Sequence, residues 1–179
     1  MKKLQTVAIL LLTLLSLGAC NKSTSLQQYY VENKDNQNFI AVDLSTSLIN
    51  IDKTSLNDEE KDAYKSVKKM NILAYQIKGE DDPNYISEKK RVLEILKNEK
   101  FKDLMKFNSK ELKITVKYIG TDTSIDEVIV FGTNKEFGFG LVRLLGNDMK
   151  PEKIIKLMRA FEKSDFDSGD LKGFIQKFI

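Results

Sequence analysis

Across residues 112–118 apolar and polar side chains alternate without a break, Leu112, Ile114, Val116 and Tyr118 against Lys113, Thr115 and Lys117. Only an extended chain sorts side chains with a period of two, so this stretch predicts a half-exposed strand. Gly120-Thr121-Asp122-Thr123-Ser124 turns the chain into the apolar run 128–131, and Thr133-Asn134-Lys135 turns it again into 137–145. Short polar turns join antiparallel neighbours, so the three runs form a meander. The apolar face of such a sheet must be covered, and amphipathic helices elsewhere in the chain would cover it.

Upstream, Phe39-Ile40-Ala41-Val42-Asp43-Leu44 predicts a strand, followed by a Ser/Thr-rich turn and a short apolar stretch at 48–51. Asn57 can cap a helix with Glu60 as its capping partner, and Ala63, Tyr64, Val67 and Met70 then fall on one helical face. The nearly all-apolar run 72–77 predicts a strand covered on both sides. Asp82 and Pro83 suit the cap and first position of a helix lined by Tyr85, Ile86, Val92, Leu93 and Leu96. A second helical piece with Phe101, Leu104 and Met105 follows a polar break at Asn98. Pro151 opens a helix bearing Ile154, Ile155, Met158 and Phe161, and Asp170 caps a last one carrying Leu171, Phe174, Ile175, Phe178 and Ile179. The order β-α-β-α-β-β-β-α-α predicts an α+β fold, a mostly antiparallel sheet of about five strands with helices packed on one face. If the first two strands were parallel neighbours, their crossover would be right-handed.

The N-terminus carries a different kind of signal. Lys2 and Lys3 precede an apolar run at 7–17, too short for the ~20 residues that span a bilayer but right for a signal-peptide core. Leu17-Gly18-Ala19-Cys20 resembles the lipobox of bacterial lipoproteins. That resemblance implies cleavage between Ala19 and Cys20, a diacylglyceryl group on the Cys20 thiol and acylation of the new amine. Residues 1–19 are then signal, 20–37 a lipidated polar tether and 38–179 one domain. A flexible tether of that length reaches roughly 20–25 Å, although Leu26, Tyr29, Tyr30 and Val31 would suit a short helical turn against the domain. Asn21 and the lack of an acidic cluster after Cys20 resemble sorting signals for the outer membrane, facing the periplasm.

Composition excludes much chemistry. Cys20 is the single cysteine and histidine is absent, which removes disulfides, thiolate metal sites, cysteine nucleophiles and every histidine-based triad. With Lys2 and Lys3 gone and the amine acylated, the mature chain sits near +1, giving no bulk attraction to nucleic acid.

Tyr29-Tyr30-Val31-Glu32-Asn33, Asn38-Phe39-Ile40-Ala41-Val42-Asp43, Lys113-Ile114-Thr115-Val116 and Phe166-Asp167-Ser168-Gly169-Asp170-Leu171-Lys172 resemble the family catalogued as domain of unknown function 4252. The resemblance covers nearly all of the mature chain. It implies a small exported protein, often a lipoprotein, of Bacteroidota-type bacteria, and it brings no functional residues.

Four patterns imitate active sites. Ser66-Val67-Lys68-Lys69 and Ser87-Glu88-Lys89-Lys90 match Ser-x-x-Lys, but chance gives about 1.7 such matches at this composition and the partner motifs are missing. Asp165, Asp167 and Asp170 surround Gly169, yet an EF-hand frame puts Ser164, Phe166 and Ser168 at the ligand positions, so turn and cap roles suit them better. Gly132, Gly138 and Gly140 fall within strands rather than before a helix, which suits bulges, close backbone approach or a flat edge for a partner strand. The Phe174, Ile175, Phe178 and Ile179 stripe suits docking on the domain itself.

These readings lead to a lipid-anchored envelope module that binds or scaffolds without catalysis. No catalytic residue, metal site or cofactor is assigned. Its partners are the bilayer, through acylated Cys20, and an envelope protein or small ligand. A hydrolase with paired carboxylates and a carrier of a small apolar ligand are the alternatives.

Overall fold

Six strands form one antiparallel sheet: β1 (Phe39–Ser45), β2 (Val67–Gln76), β3 (Lys102–Asn108), β4 (Leu112–Gly120), β5 (Ile125–Asn134) and β6 (Gly138–Met149), in the order β1-β2-β6-β5-β4-β3. The computed structural model describes residues 24–45, 57–79, 82–154 and 156. Among the described residues, three helices precede or link the strands, α1 (Leu26–Asn33), α2 (Asp58–Ser66) and α3 (Pro83–Leu96). The expected α+β class and the meander are present.

Register explains the two faces. Met105, Val116, Val130, Val142, Ile72 and Val42 are cross-strand partners in one row, and every member is apolar. The row on the other face runs Lys106, Thr115, Phe131, Leu141, Leu73 and Ala41, so it turns polar at β4 and β3. Strands β2, β5 and β6 are thus apolar on both sides and need cover on both.

The helices divide between the faces instead of sharing one. On the partly polar face, Leu26, Tyr29 and Tyr30 of α1 and Val92 and Leu96 of α3 pack over Leu73, Tyr75, Ile129, Phe131, Phe139 and Leu141. The rings of Phe39, Tyr75 and Phe139 lie 5.1, 5.6 and 6.1 Å apart there, the offset and edge-on spacings that aromatic quadrupoles favour. Ala63 and Tyr64 of α2 and Ile154 pack over Met70, Ile72, Val128 and Leu144 on the other face. Residues 151–154 are helical, as Pro151 predicts. Among the described residues no helix is long and apolar enough to cross a membrane.

Four expectations change. Part of the expected tether is α1, capped by Ser25, whose Tyr29 is wholly buried. The expected second helical piece at 101–105 is β3, the sixth strand, where a bulge between Asp103 and Met105 puts Leu104 and Met105 side by side and hides the strand period. Helix α2 keeps its capping box at Asn57 and Glu60 but stops at Ser66, and Val67 and Met70 belong to β2. Met70 is three residues from Val67 and two from Ile72, so it satisfies both periods, and pairing with Leu144 of β6 decides for the strand. Finally, β1 and β2 are antiparallel, so the crossover rule does not apply. The stretch 48–51, the helical face beyond Ile154 and the last helix lie outside the described residues.

Replacing Tyr29 with Ala should lower stability by about 3–5 kcal/mol, the usual cost of deleting a buried aromatic ring. Urea unfolding measures it, and a loss under 1 kcal/mol would mean α1 is not part of the core.

Candidate functional site

On the partly polar face, α1 and α3 cover the apolar strands and leave β4 and β3 overhanging. The gap between α3 and this overhang is an open groove of about 520 Å³. Its helix side presents Tyr85, Ile86, Lys89, Lys90, Leu93 and Lys97, and its sheet side Asp103, Lys106, Thr115 and Lys117, with Leu96 and Phe131 also lining it. Ile86 is 63% exposed and Leu93 43%, large apolar side chains left in water on a helix that is otherwise well buried along its inner face.

Asp82 caps α3 and fixes this wall. Its carboxylate accepts from the amides of Asn84 and Tyr85 at 3.0 and 3.1 Å and from the Tyr75 hydroxyl at 2.9 Å. Burial alone would raise its pKa, but the Tyr85 amide, the Tyr75 hydroxyl and the amides of Lys78 and Asn84 outweigh burial and hold the carboxyl below its ordinary value. Tyr75 moves the opposite way, pushed up to about 12 by burial and then by Asp82.

Five lysines line the groove against two carboxylates, Glu94 and Asp103. Lys106 and Lys117 both reach Asp103, at 2.7 and 2.6 Å, and hold its carboxyl below the ordinary range. Lys97 pairs with Glu94 at 2.7 Å. Lys89 lies 5.3 Å from the Tyr85 ring centre. Lys90 makes no ion pair among the described residues. The groove therefore holds surplus positive charge beside exposed apolar carbon.

A second polar cluster lies under α1. Arg143 is 4% exposed, and its Nε donates to Glu127 Oε1 at 2.6 Å while an Nη donates to Gln27. Next to it, Asp43 accepts from the Tyr30 hydroxyl at 3.0 Å and from the Asn71 amide. The register aligns Asp43, Asn71 and Arg143 across β1, β2 and β6. These groups satisfy one another in place, and the arrangement ties α1 to the sheet. Among the described residues, the carboxyls whose pKa clearly departs from the ordinary value, Asp82, Glu94, Asp103, Asp122 and Asp148, all shift downward. A protonated acid for glycoside cleavage needs the reverse shift.

The imitating patterns separate in space. Ser66 Oγ donates to the Ala63 carbonyl at 2.7 Å, at a helix-to-strand junction, and Lys69 pairs with Asp43 at 3.7 Å. Ser87 and Lys90 are exposed on α3. Gly132, Gly138 and Gly140 sit in β5 and β6, where Gly138 lies against the Tyr75 carbonyl in the close backbone approach that glycine there suits, and since β6 pairs with both β2 and β5, the alternative of a flat edge for a partner strand is ruled out there. Ala19, Cys20, Asp165, Asp167, Asp170 and the Phe174, Ile175, Phe178 and Ile179 stripe lie outside the described residues. Among those described, no group of acidic side chains is placed to hold a metal. Reasoning from sequence missed Asp103, Lys106 and Lys117 as one site, because the bulge in β3 disguised the strand that brings them to α3.

Two outcomes follow from these clusters. Arg143→Ala should cost about 3–5 kcal/mol in urea unfolding by stranding Glu127, whereas Arg143→Met with Glu127→Leu should be near neutral. An unchanged single variant would remove the ion pair from the fold's support. The pH profile has two edges. Asp82 contributes stability that is fully present above the ordinary carboxylate value and is lost as pH falls from there through its lowered folded value. Tyr75 contributes stability that is present below its ordinary value of 10.0 and is lost as pH rises toward about 12. Urea midpoints against pH should show both edges, with Asp82→Asn flattening the acid side and Tyr75→Phe reducing the alkaline loss.

Comparison with known proteins agrees with the sequence resemblance. No curated protein and no solved structure gives a match. One family model, Domain of unknown function (DUF4252), matches residues 29–157, from the second turn of α1 to just past the helical residues after β6. The matched stretch contains the whole sheet and the groove, and the chain belongs to the DUF4252 family.

Proposed function

We propose that the protein is a lipid-anchored module of the cell envelope that binds other molecules through the groove between α3 and the β3–β4 overhang and catalyses nothing. Cleavage after Ala19 leaves acylated Cys20 as the mature N-terminus, on the outer membrane facing the periplasm. The observation that carries the binding role is the groove itself, where Ile86 and Leu93 stay exposed beside a lysine surplus. A partner that covered this carbon would gain roughly 25 cal/mol per Å² of apolar surface removed from water.

The downward shifts of the displaced carboxyls favour this over a paired-carboxylate hydrolase. A carrier of a small apolar ligand is the second reading, since the groove does lie between a helix and the sheet. Its openness on the Ile86 and Leu93 side favours an extended surface over an enclosed guest.

Labelled palmitate should enter the wild type and not Cys20→Ser, and the wild type should fractionate with envelope membranes. A photo-crosslinking residue at Leu93 should capture an envelope component in intact cells, while one at Lys65 on α2 should not. Purified native protein that still begins at Met1, or that is free in the cytosol with an unmodified thiol, would overturn the anchor. Equal capture from both positions would overturn the groove.

A further inference from the structure

We infer that the stripe of Ile86, Lys89, Lys90, Leu93, Lys97 and Lys100 docks on the anionic lipid surface to which Cys20 is tied. This rests on the lipoprotein reading above and names the partner of the same groove.

The stripe is a property of helix geometry. Ile86, Lys89, Lys90, Leu93 and Lys97 stand at i, i+3, i+4, i+7 and i+11, so they share one side of α3. That side alternates apolar and cationic groups. Isoleucine and leucine carbon suits the boundary between headgroups and acyl chains, and lysine heads extend from their aliphatic stems to lipid phosphates. The opposite flank is taken: Arg91 pairs with Glu32 of α1 at 3.0 Å. The stripe flank is open, and the exposed positions between the two flanks, Pro83, Asn84, Ser87 and Glu94, carry neither large apolar carbon nor a cation.

The attachment point gives the independent argument. Thr24 and Ser25, where the described chain begins, line a depression of about 310 Å³ shared with Glu94, Lys97 and Lys100. The polypeptide therefore enters the domain at the C-terminal end of the same helix. Cys20 precedes Thr24 by four residues, a span of ~14 Å at full extension. The stripe from Ile86 to Lys97 is itself ~17 Å long at the helical rise. A lipid on Cys20 must hold this end of α3 close to the headgroups, and laying the stripe down buries its apolar carbon and meets its charge together. Lipid chains combined with a basic patch bind more firmly than either signal alone.

The mature chain with Cys20→Ser should sediment with vesicles of phosphatidylcholine containing one-third phosphatidylglycerol, not with phosphatidylcholine alone. High salt should release it. Lys89→Gln with Lys90→Gln should weaken partitioning about thirtyfold, and Lys61→Gln with Lys65→Gln on α2 should leave it unchanged. On the native acylated protein in the same vesicles, an amine reagent should spare Lys89, Lys90, Lys97 and Lys100 only when phosphatidylglycerol is present. Equal binding to both vesicles, a double variant that binds like wild type, or unprotected lysines would overturn the inference. Binding of a soluble fatty acid without vesicle binding would overturn it in favour of a carrier. Intact mass of the native protein reads the anchor separately, so an unacylated Cys20 would sink the anchor reading while sedimentation still decides this one.

Discussion

The pairing of β2 with β6 holds the rest of the structure together. It joins residues far apart in the chain, Val67 to Gly146 at one end and Gln76 to Gly138 at the other. Without it the sheet would fall into a four-strand meander and a two-strand ribbon, and a two-strand ribbon is marginal on its own. The contact is closed at both ends by glycine. Gly138 has φ +117°, and a Cβ there would collide with the Tyr75 carbonyl. A Cβ at Gly146 would collide with the Ser66 carbonyl. These positions admit β2 to hydrogen-bonding distance, and every buried residue of the central strands depends on that approach.

Once β6 lies between β2 and β5, the sheet has both faces to cover and too few helices to cover them evenly. On one face α1 and α3 sit over β2, β6 and β5, where Phe39, Tyr75, Phe131 and Phe139 form a cluster of packed rings. Lys117 and Lys106 on the outer strands have no apolar surface to offer and meet Asp103 instead. The groove is the consequence of that mismatch. It arises because, in the row that runs beneath α3, Leu73, Leu141 and Phe131 are apolar while Thr115 and Lys106 of β4 and β3 are not. The same mismatch leaves Ile86 and Leu93 exposed beside polar residues they cannot pack against.

Much of this was legible in the chain. The alternation at 112–118 gives β4, and the caps at Asn57 and Asp82 start α2 and α3 where the structure starts them. Those signals are local, carried by residues within a turn of one another. Less legible was anything decided by a distant partner. Met70 suits a helix as well as a strand, and the tie broke only on pairing with Leu144. The bulge at Asp103 and Met105 erased the period of β3, although Lys102, Lys106 and Phe107 read as an ordinary exposed edge once Tyr118, Thr115 and Ile114 lie beside them. The polar composition of 21–37 suggested a tether, yet Tyr29 and Tyr30 reach the core because their hydroxyls find Glu88 and Asp43.

By itself the sequence determined the class of fold, the places where most helices and strands begin, and the chemistry that a chain without histidine and with a single cysteine must forgo. These follow from side-chain type and from periods of two and 3.6 residues, which need no knowledge of neighbours. Only the tertiary structure decided which strand lies beside which, how the helices divide between the faces, and that Ile86, Lys90, Lys106 and Lys117 share one groove. Such facts arise from contacts between residues distant along the chain, where burial and hydrogen bonding outweigh local preference by several interactions to one.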